Sequence, residues 1–300
     1  GATATGKTAL AVKLAHAKHG EIISADSRQV YRGLDLGTGK DLHEYGSIPY
    51  HLIDVCDLNR EFTVFHFQQE VYRIFPQLTE KGVLPIIAGG TGLYLDAILR
   101  GYELIPVPEN PALREALAAK TLQELQAMLI ALKPDIHNKT DLEQPDRLVR
   151  AIEIARYRQE HPESAVEHLH TTPLIRPKIY GISFERSLLR ERIRRRLIAR
   201  IDAGMIEETE QIHAQGYSWE RLESLGLEYR FTAQYLQGKI ETKEAYIEQL
   251  YRAIGQFAKR QETWFRRMAK NGIEIEWIDG NEAAQLTAEK IAGSELFGSL

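Results

Sequence analysis

The sequence is poor in cysteine, since Cys56 is the one cysteine among its 300 residues. A lone cysteine can form neither a disulfide bond within the chain nor a zinc site built from several thiolates, so the fold depends on neither. No apolar run approaches the ~18 residues that span a bilayer, and no secretory signal is visible. We therefore expect a cytoplasmic protein that has no membrane partner.

The sequence also lacks an excess of positive charge. Its 42 acidic residues outnumber its 38 Lys and Arg residues, and the formal net charge is −4. A protein that binds nucleic acid with its whole surface is strongly basic, so any nucleic-acid surface here must be a local patch. Hydrophobic residues make up 43% of the chain, which suffices for a real core in one large or two modest domains.

The chain opens on a phosphate-binding pattern, G-x-x-x-x-G-K-[ST], which it matches without a gap. Its glycines let successive backbone N–H groups surround phosphate oxygens, its lysine supplies a point charge, and its final hydroxyl suits a Mg²⁺ ligand shell. Good helix formers follow, so a helix N-terminus adds to the anion site. The residues are Gly1, Ala2, Thr3, Ala4, Thr5, Gly6, Lys7 and Thr8. A buried strand normally precedes such a loop, and we expect that strand to be missing from this sequence.

Strand-like and helix-like segments alternate after this loop. Short buried strands are predicted at 20–26, 50–54 and 83–88, with helices between them. This alternation predicts an α/β fold, a P-loop NTPase-like doubly wound parallel sheet. Ligands of such sheets bind at the carboxyl ends of the strands, so Asp26 should face the phosphate loop. An Asp side chain also favours turns, because it can accept hydrogen bonds from nearby backbone N–H groups. Capping of a turn is therefore the alternative role of Asp26.

The character of the sequence changes near Pro106. Helix starts are predicted at Asn110, and at Thr121 with Glu124, and no clear strand follows until after Tyr157. We predict a first core part at 1–105, an all-helical insertion at 106–172 and a second core part at 173–300. In the last helix of the insertion, Arg147 and Arg150 share one face.

The second core part contains the most basic stretch, from Arg186 to Arg200, with seven arginines. Either these residues form a solvated helix face with acidic partners, or they recognise phosphate, which the arginine excess favours. Strands are predicted at 178–183 and 273–278, and a long helix at 242–270. The residues of that helix predicted to point inward are Ile247, Leu250, Ile254, Phe257 and Trp264.

These parts indicate group transfer. Most phosphate-loop hydrolases add a strand that ends in an Asp near Mg²⁺, whereas the strand at 83–88 ends in Gly-Gly-Thr. Asp26 is then the acid placed to accept a proton. Two classes fit: a small-molecule or nucleoside kinase that uses Asp26 as its base, and a transferase whose leaving group is diphosphate and whose acceptor is nucleic acid.

Several segments taken together resemble the tRNA dimethylallyltransferases, also called tRNA isopentenyltransferases or IPP transferases. The resemblance spans nearly the whole chain, and it points to a bacterial-type enzyme because the zinc finger of eukaryotic relatives is absent. Where the family commonly has Gln, this chain has Asp146, and an acid there should weaken a phosphate contact. The matching segments are the phosphate loop, 24–38, 51–54, 89–94, 147–153, 186–196, 204–208 and 259–264.

The resemblance implies transfer of a dimethylallyl group from dimethylallyl diphosphate to N6 of adenosine 37, in tRNAs that read codons beginning with U. It implies that residues 1–8 bind the diphosphate, with Mg²⁺ at Thr8, that Asp26 accepts the proton and that Arg196 holds the diphosphate. We expect a monomer. The residues implied to contact the tRNA anticodon stem-loop are Asp26, Ser27, Arg28, Gln29, Asp146, Arg147, Arg150, Lys259, Arg260 and Trp264.

Overall fold

A computed structural model describes residues 1–132, 144–162, 173, 175–282 and 284–293. The chain divides into two compact units, the first formed by Gly1–Gly101 with Pro173–Leu300 and the second by Tyr102–Thr172. The division predicted from the sequence used 105 and 172 as boundaries. Among the helices of these described ranges, none carries an apolar stretch long enough to cross a bilayer.

The first unit contains a three-stranded parallel sheet with helices on both faces. Its strand order is β2 (Tyr50–His51), β1 (Gly20–Ala25) and β3 (Leu84–Gly89). Successive residues of β1 point to opposite faces. Ile22 packs with helix α1 (Lys7–Lys18), and Ile23 packs with helix α2 (Val64–Glu80). The predicted doubly wound arrangement is therefore present.

The strand predicted at 50–54 is shorter in the structure. Leu52 and Asp54 have φ values of 63° and 56°, which lie in the left-handed region and end the extended backbone after His51. The sequence pattern was wrong here because a side chain's hydrophobicity does not report such a φ angle. After β3, helix α3 (Gly92–Leu99) starts at once.

A second sheet of the first unit consists of two parallel strands, β4 (Tyr180–Ser183) and β5 (Glu276–Asp279), at the predicted places. Helix α12 (Ala284–Gly293) packs with α1 and with these strands. The phosphate loop lies between the two sheets. A Cβ on Gly1 would lie 3.1 Å from the Ile182 carbonyl oxygen, and one on Gly90 would lie 3.4 Å from the Gly1 carbonyl oxygen.

Five helices complete the first unit: α7 (Arg186–Asp202), α8 (Met205–Ala214), α9 (Trp219–Ser224), α10 (Leu227–Leu236) and α11 (Lys243–Lys270). The apolar stripe of α7 packs against α11 and against Ala2 and Ala4 of the phosphate loop. Each of its side chains stabilises the fold by about 1.5–3 kcal/mol through burial. The stripe therefore holds the phosphate loop against α7 and α11. It consists of Leu189, Ile193, Leu197 and Ile201.

The prediction for Phe257 of α11 was wrong, because this side chain is 39% exposed. The buried face of α11 instead runs through Ile254, Ala258, Gln261 and Phe265. These residues repeat every three or four positions, and Phe257 lies one position before that row. A polar residue, Gln261, therefore takes a place that periodicity alone would give to an apolar one.

The second unit contains α4 (Pro111–Ala118), α5 (Leu122–Leu132) and α6 (Pro145–Glu160), and its described residues include no strand. The predicted caps are present, since Asn110 accepts the Leu113 N–H at 3.0 Å and Glu124 accepts the Thr121 N–H at 2.8 Å. The sequence also predicts a loop at 168–177, of which residues 168–172 and 174 lie outside the described residues. The core of this unit is formed by Leu117, Leu125, Leu129, Leu148 and Ile152.

Candidate functional site

A cavity of about 410 Å³ opens in the first unit at the carboxyl ends of β1 and β3. The phosphate loop forms one side of its wall, and α7 contributes another. The structure brings eight of the predicted site residues together in the lining of this cavity: Thr3, Ala4, Gly6, Lys7, Thr8, Asp26, Gln29 and Arg196. Asp26 thus lies on the same side of the sheet as the phosphate loop.

The phosphate loop is held in a curled conformation by hydrogen bonds to its carbonyl groups. Ala4 and Gly6 have φ values of 61° and 81°, so the chain reverses at both positions. The Thr5 hydroxyl donates to the Ala2 carbonyl at 2.9 Å, and Nε of Arg192 donates to the Ala4 carbonyl at 2.8 Å. These bonds engage carbonyl groups and leave backbone N–H groups of the loop for an anion, apart from the Thr3 N–H, which donates to Gln261.

Lys7 lines the cavity, and burial disfavours the positive charge of its side chain. Its Nζ donates to the Ala2 carbonyl at 2.5 Å. Burial, together with the nearby Arg196 charge, lowers the pKa of Lys7 to about 8, although Asp26 acts in the opposite direction. An anion bound in the cavity would stabilise the charged ammonium group, so anion binding and protonation of Lys7 favour each other.

Asp26 follows directly after β1 and caps a turn while it lines the cavity. Its Oδ1 accepts the Arg28 N–H at 2.9 Å, and the Ser27 N–H between them in the chain donates to the Thr91 hydroxyl at 3.0 Å. The turn-capping role considered for Asp26 is therefore real and does not remove the carboxylate from the cavity. Gln29 is 9% exposed, and its amide is already engaged by Ser24 at 2.9 Å and by the Gly39 carbonyl at 3.0 Å.

The arginines of α7 supply positive charge that is only partly balanced. Arg196 and Arg200 lie 3.4 and 3.2 Å from the same carboxylate, Asp41. Burial lowers the pKa of Arg200, and the charge of Arg196 lowers it further. Gly39, at φ 61°, makes room for both guanidinium groups, because a Cβ there would lie 1.5 Å from Nη2 of Arg200. Arg196 lines the cavity, so its guanidinium group can also contact an anion bound there.

Gln261 of α11 also lines the cavity, although no site role was predicted for it from the sequence. It is 8% exposed, its Oε1 accepts the Thr3 N–H at 2.8 Å, and its Nε2 donates to the Gly90 carbonyl at 2.8 Å. It therefore ties the phosphate loop to the end of β3. A polar residue in the apolar row of a helix was the signal that could have revealed it.

The comparisons with known proteins agree with this geometry. A family model described as IPP transferase matches residues 29–268, and one described as Isopentenyl transferase matches residues 1–45. The chain belongs to the IPP transferase family. The resemblance predicted from its motifs is thereby confirmed.

Relatives of the family cover nearly all of the chain. It is 63% identical over 278 residues to tRNA dimethylallyltransferase 2 of Treponema denticola, with 93% of each chain covered. It is 60% identical over 280 residues to the tRNA dimethylallyltransferase of Treponema pallidum, with 93% and 89% covered. The full-length tRNA isopentenylpyrophosphate transferase from Bacillus halodurans matches at a TM-score of 0.69 and 32% identity, with 97% and 92% covered. This likeness confirms the predicted fold.

The oxygen donors of the cavity fit the Mg²⁺ expected in this family. The Thr8 hydroxyl and the Asp26 carboxylate line it together. No group of three or more His, Cys, Asp or Glu residues in the described part of the chain could hold a metal ion. Mg²⁺ commonly keeps several waters and binds through one or two protein oxygens plus substrate phosphates, so this sparse set suits it. Tyr45 also contacts Thr8, and burial raises the pKa of Tyr45 to about 12, so its phenol stays neutral.

The family's predicted tRNA-contact residues occupy different settings. Lys259 and Arg260 are exposed on α11 of the first unit. Trp264 is half-buried against Gly92, with the Arg267 guanidinium 4.4 Å from its ring centroid, so it packs within the fold. The members in the second unit are Asp146, Arg147 and Arg150, all on α6.

Arg150 is occupied within the second unit. It donates to the Val107 carbonyl at 2.8 Å and forms an ion pair with Glu153. Glu153 is 2% exposed and also pairs with Arg114 at 3.1 Å. Arg150 therefore stabilises its own unit, whatever else it binds, while Asp146 and Arg147 are exposed in the first two turns of α6.

Proposed function

We propose that this protein transfers a dimethylallyl group from dimethylallyl diphosphate to N6 of adenosine 37, in tRNAs that read codons beginning with U, and releases diphosphate. Membership of the IPP transferase family gives the reaction class. The observation that supports the site assignment is that Lys7, Thr8, Asp26 and Arg196 line one cavity. The proposed diphosphate site and the proposed base would therefore share one cavity of about 410 Å³.

The diphosphate would bind on the phosphate-loop side of this cavity. Backbone N–H groups of the loop and the N-terminal end of α1 attract its oxygens, and Lys7 and Arg196 add full charges. The same groups stabilise the charge that develops on the leaving diphosphate as its bond to the allylic carbon breaks. Mg²⁺, when held by Thr8 and the diphosphate, supplies further neutralisation of that charge.

Asp26 is the proposed base. The N6 amine forms a C–N bond to the allylic carbon, the C–O bond to diphosphate breaks, the electron pair leaves with the diphosphate, and the amine proton passes to the Asp26 carboxylate. An exocyclic amine is a poor nucleophile, so the reaction needs it held against the allylic carbon. The adenine must leave its stack to reach the cavity, which costs less in an anticodon loop than in a duplex.

The remaining proposed contacts concern the RNA. We assign the anticodon stem-loop to Asp26 through Gln29, to Asp146, Arg147 and Arg150, and to the α11 segment with Lys259, Arg260 and Trp264. Exposure on α11 supports Lys259 and Arg260 as phosphate contacts. Gln29 is buried and lines the cavity, so its proposed RNA contact is with a nucleotide that enters the cavity, while its amide holds the Gly39 carbonyl at 3.0 Å.

A reconstituted reaction tests the proposal. Purified protein, Mg²⁺, dimethylallyl diphosphate and an anticodon stem-loop with A36-A37-A38 should give N6-alkylated adenosine in nucleosides analysed by mass spectrometry. A stem-loop with guanosine at position 37 is the matched control and should give none. Phosphorylated product from ATP and a free nucleoside, with no alkylated RNA, would instead establish the kinase that shares this loop and base.

A further inference from the structure

Glu208 of α8 accepts an unusual number of hydrogen bonds for a side chain outside the cavity. Its Oε2 accepts the N–H groups of Leu36 at 2.8 Å and Asp35 at 3.2 Å. Its Oε1 accepts the Gly37 N–H at 3.3 Å and the Tyr229 hydroxyl at 2.6 Å. Three successive backbone N–H groups that converge on one carboxylate form a small anion nest, here filled by a residue of the protein itself.

The segment held in this way, residues 35–39, packs closely on α10. A Cβ on Gly37 would lie 2.6 Å from Cζ of Tyr229, so only glycine allows this approach. Burial raises the pKa of Tyr229 well above its ordinary value, and the neighbouring Glu208 carboxylate adds to the effect. The phenol is therefore neutral and remains a donor to Glu208.

The far end of segment 35–39 reaches the cavity. Thr38 and Gly39 line its wall. The Gly39 carbonyl accepts a hydrogen bond from Gln29 at 3.0 Å and another from Arg196 at 3.5 Å. Gly39 also lies against the guanidinium groups of Arg196 and Arg200. The position of this segment thus determines where the guanidinium group of Arg196 can lie.

We propose that Glu208, assisted by Tyr229, is a positioning residue that fixes segment 35–39 and thereby holds Arg196 in place for diphosphate binding. This inference rests on the proposed function for the identity of the substrate. The contacts themselves concern the free protein and an anion, so they can be tested with inorganic pyrophosphate as the probe.

Glu208→Gln is the direct test. The amide is nearly the same size as the carboxylate but has one acceptor oxygen, and its NH₂ group faces backbone donors. We expect amide hydrogen exchange at Leu36 and Gly37 to become about tenfold faster, because charge-assisted bonds are lost. We also expect pyrophosphate affinity to fall and KM for dimethylallyl diphosphate to rise, each about 3- to 10-fold, with kcat changed less.

Two further variants keep the test interpretable. Glu207→Gln changes the exposed neighbour of Glu208 on α8 and should leave exchange, affinity and KM as in the native protein. Tyr229→Phe removes the hydroxyl and keeps the three backbone contacts, so it should move all three quantities in the same direction by a smaller factor. Tyr229→Phe also provides the answer if Glu208→Gln does not fold.

Two outcomes overturn the proposal. One is native exchange at Leu36 and Gly37 in both the Glu208 and Tyr229 variants. The other is faster exchange with unchanged pyrophosphate affinity and unchanged KM, which would make the contact a matter of fold stability alone. Failure of the native protein to alkylate RNA would remove the proposed function, yet the exchange and pyrophosphate measurements would still decide the role of Glu208.

Discussion

The two units of this chain treat arginine charge in opposite ways. At the cavity of the first unit, Arg196 pairs with Asp41 at 3.4 Å and also lines the wall, so its guanidinium group can reach a ligand. In the second unit, Arg150 and Arg114 converge on Glu153, which is 2% exposed. Burial would raise the pKa of Glu153, but hydrogen bonds from Arg114, the Asn110 N–H and Arg150 hold it below its usual value.

This difference teaches that an arginine count does not by itself identify a phosphate site. Shared carboxylates, burial and engaged carbonyls decide whether a guanidinium group is available to a ligand or committed to the fold. Substitutions at the cavity should therefore lower catalytic activity with little effect on stability. Substitutions of Glu153 or of its partners Arg114 and Arg150 should lower stability with little effect on catalysis. The variants below test that contrast, in order of expected effect.

Removal of the base should give the largest effect. Asp26→Ala should lower kcat by about 10²–10⁴-fold, because the amine proton loses its acceptor. Pyrophosphate affinity, measured by titration calorimetry, should stay near that of the native protein. Asp202→Ala, an exposed acid at the end of α7, is the matched control and should keep full activity. Native turnover by the Asp26 variant would show that Asp26 is not the base, and would remove the expected control of catalysis by this cavity side chain.

A pair of arginine variants addresses the contrast directly. Arg196→Ala should lower kcat/KM by about 100-fold through loss of a charge-assisted contact to diphosphate, with a thermal midpoint close to native. Arg150→Ala should leave pyrophosphate affinity unchanged and destabilise its unit by about 1 kcal/mol, a modest value because its side chain is 36% exposed. Enzyme kinetics and thermal unfolding of both proteins provide the measurements. Equal loss of stability in the two variants would abolish the distinction.

The Gln261 contacts should have an intermediate effect. Gln261→Ala should raise KM for dimethylallyl diphosphate about tenfold, since it frees the Thr3 N–H and the Gly90 carbonyl from their buried partner. Gln256→Ala, on an exposed position of the same helix, is the control and should behave as the native protein. A native KM in both would mean that the phosphate loop keeps its shape without α11.

The smallest effect concerns pH. The pKa of Lys7 in the free protein is about 8, and the charged form favours diphosphate. Affinity should therefore be highest well below pH 8 and fall as the pH rises through 8, by about threefold between pH 7.5 and 8.5 for one such group. Calorimetry in buffers of different ionisation enthalpy should detect proton uptake on binding. Lys7→Arg stays charged at these pH values and should take up none.

Much of the fold was predictable because its signals are local. Glycines and helix formers indicated the phosphate loop and α1, and an apolar period of three to four residues indicated α7. The same period was wrong for Phe257, since the apolar row of α11 includes a glutamine. The end of β2 was also missed, because the φ angle of Leu52 is set by packing of the chain around it.

The site was predictable only where one motif carried it. Asp26 and Lys7 belong to segments with recognisable patterns, and the roles assigned to them remain predictions. Gln261 and Glu208 lie in segments that resemble the family, 259–264 and 204–208, but those segments do not reveal their partners, which are 258 and 172 residues away in the sequence, at Thr3 and Leu36. Contacts of that kind arise from tertiary packing, which single-sequence periodicity does not encode.

The packing of Trp264 against Gly92 provides the molecule with an optical reporter. Gly92 follows Gly90 by two positions, and Gly90 lines the cavity. The two other tryptophans have different surroundings, since Trp219 stacks on His213 with centroids 3.6 Å apart and Trp277 is 42% exposed. Indole emission depends on such surroundings. The fluorescence of a variant whose sole tryptophan is Trp264 should therefore change when a ligand occupies the cavity, without any attached dye.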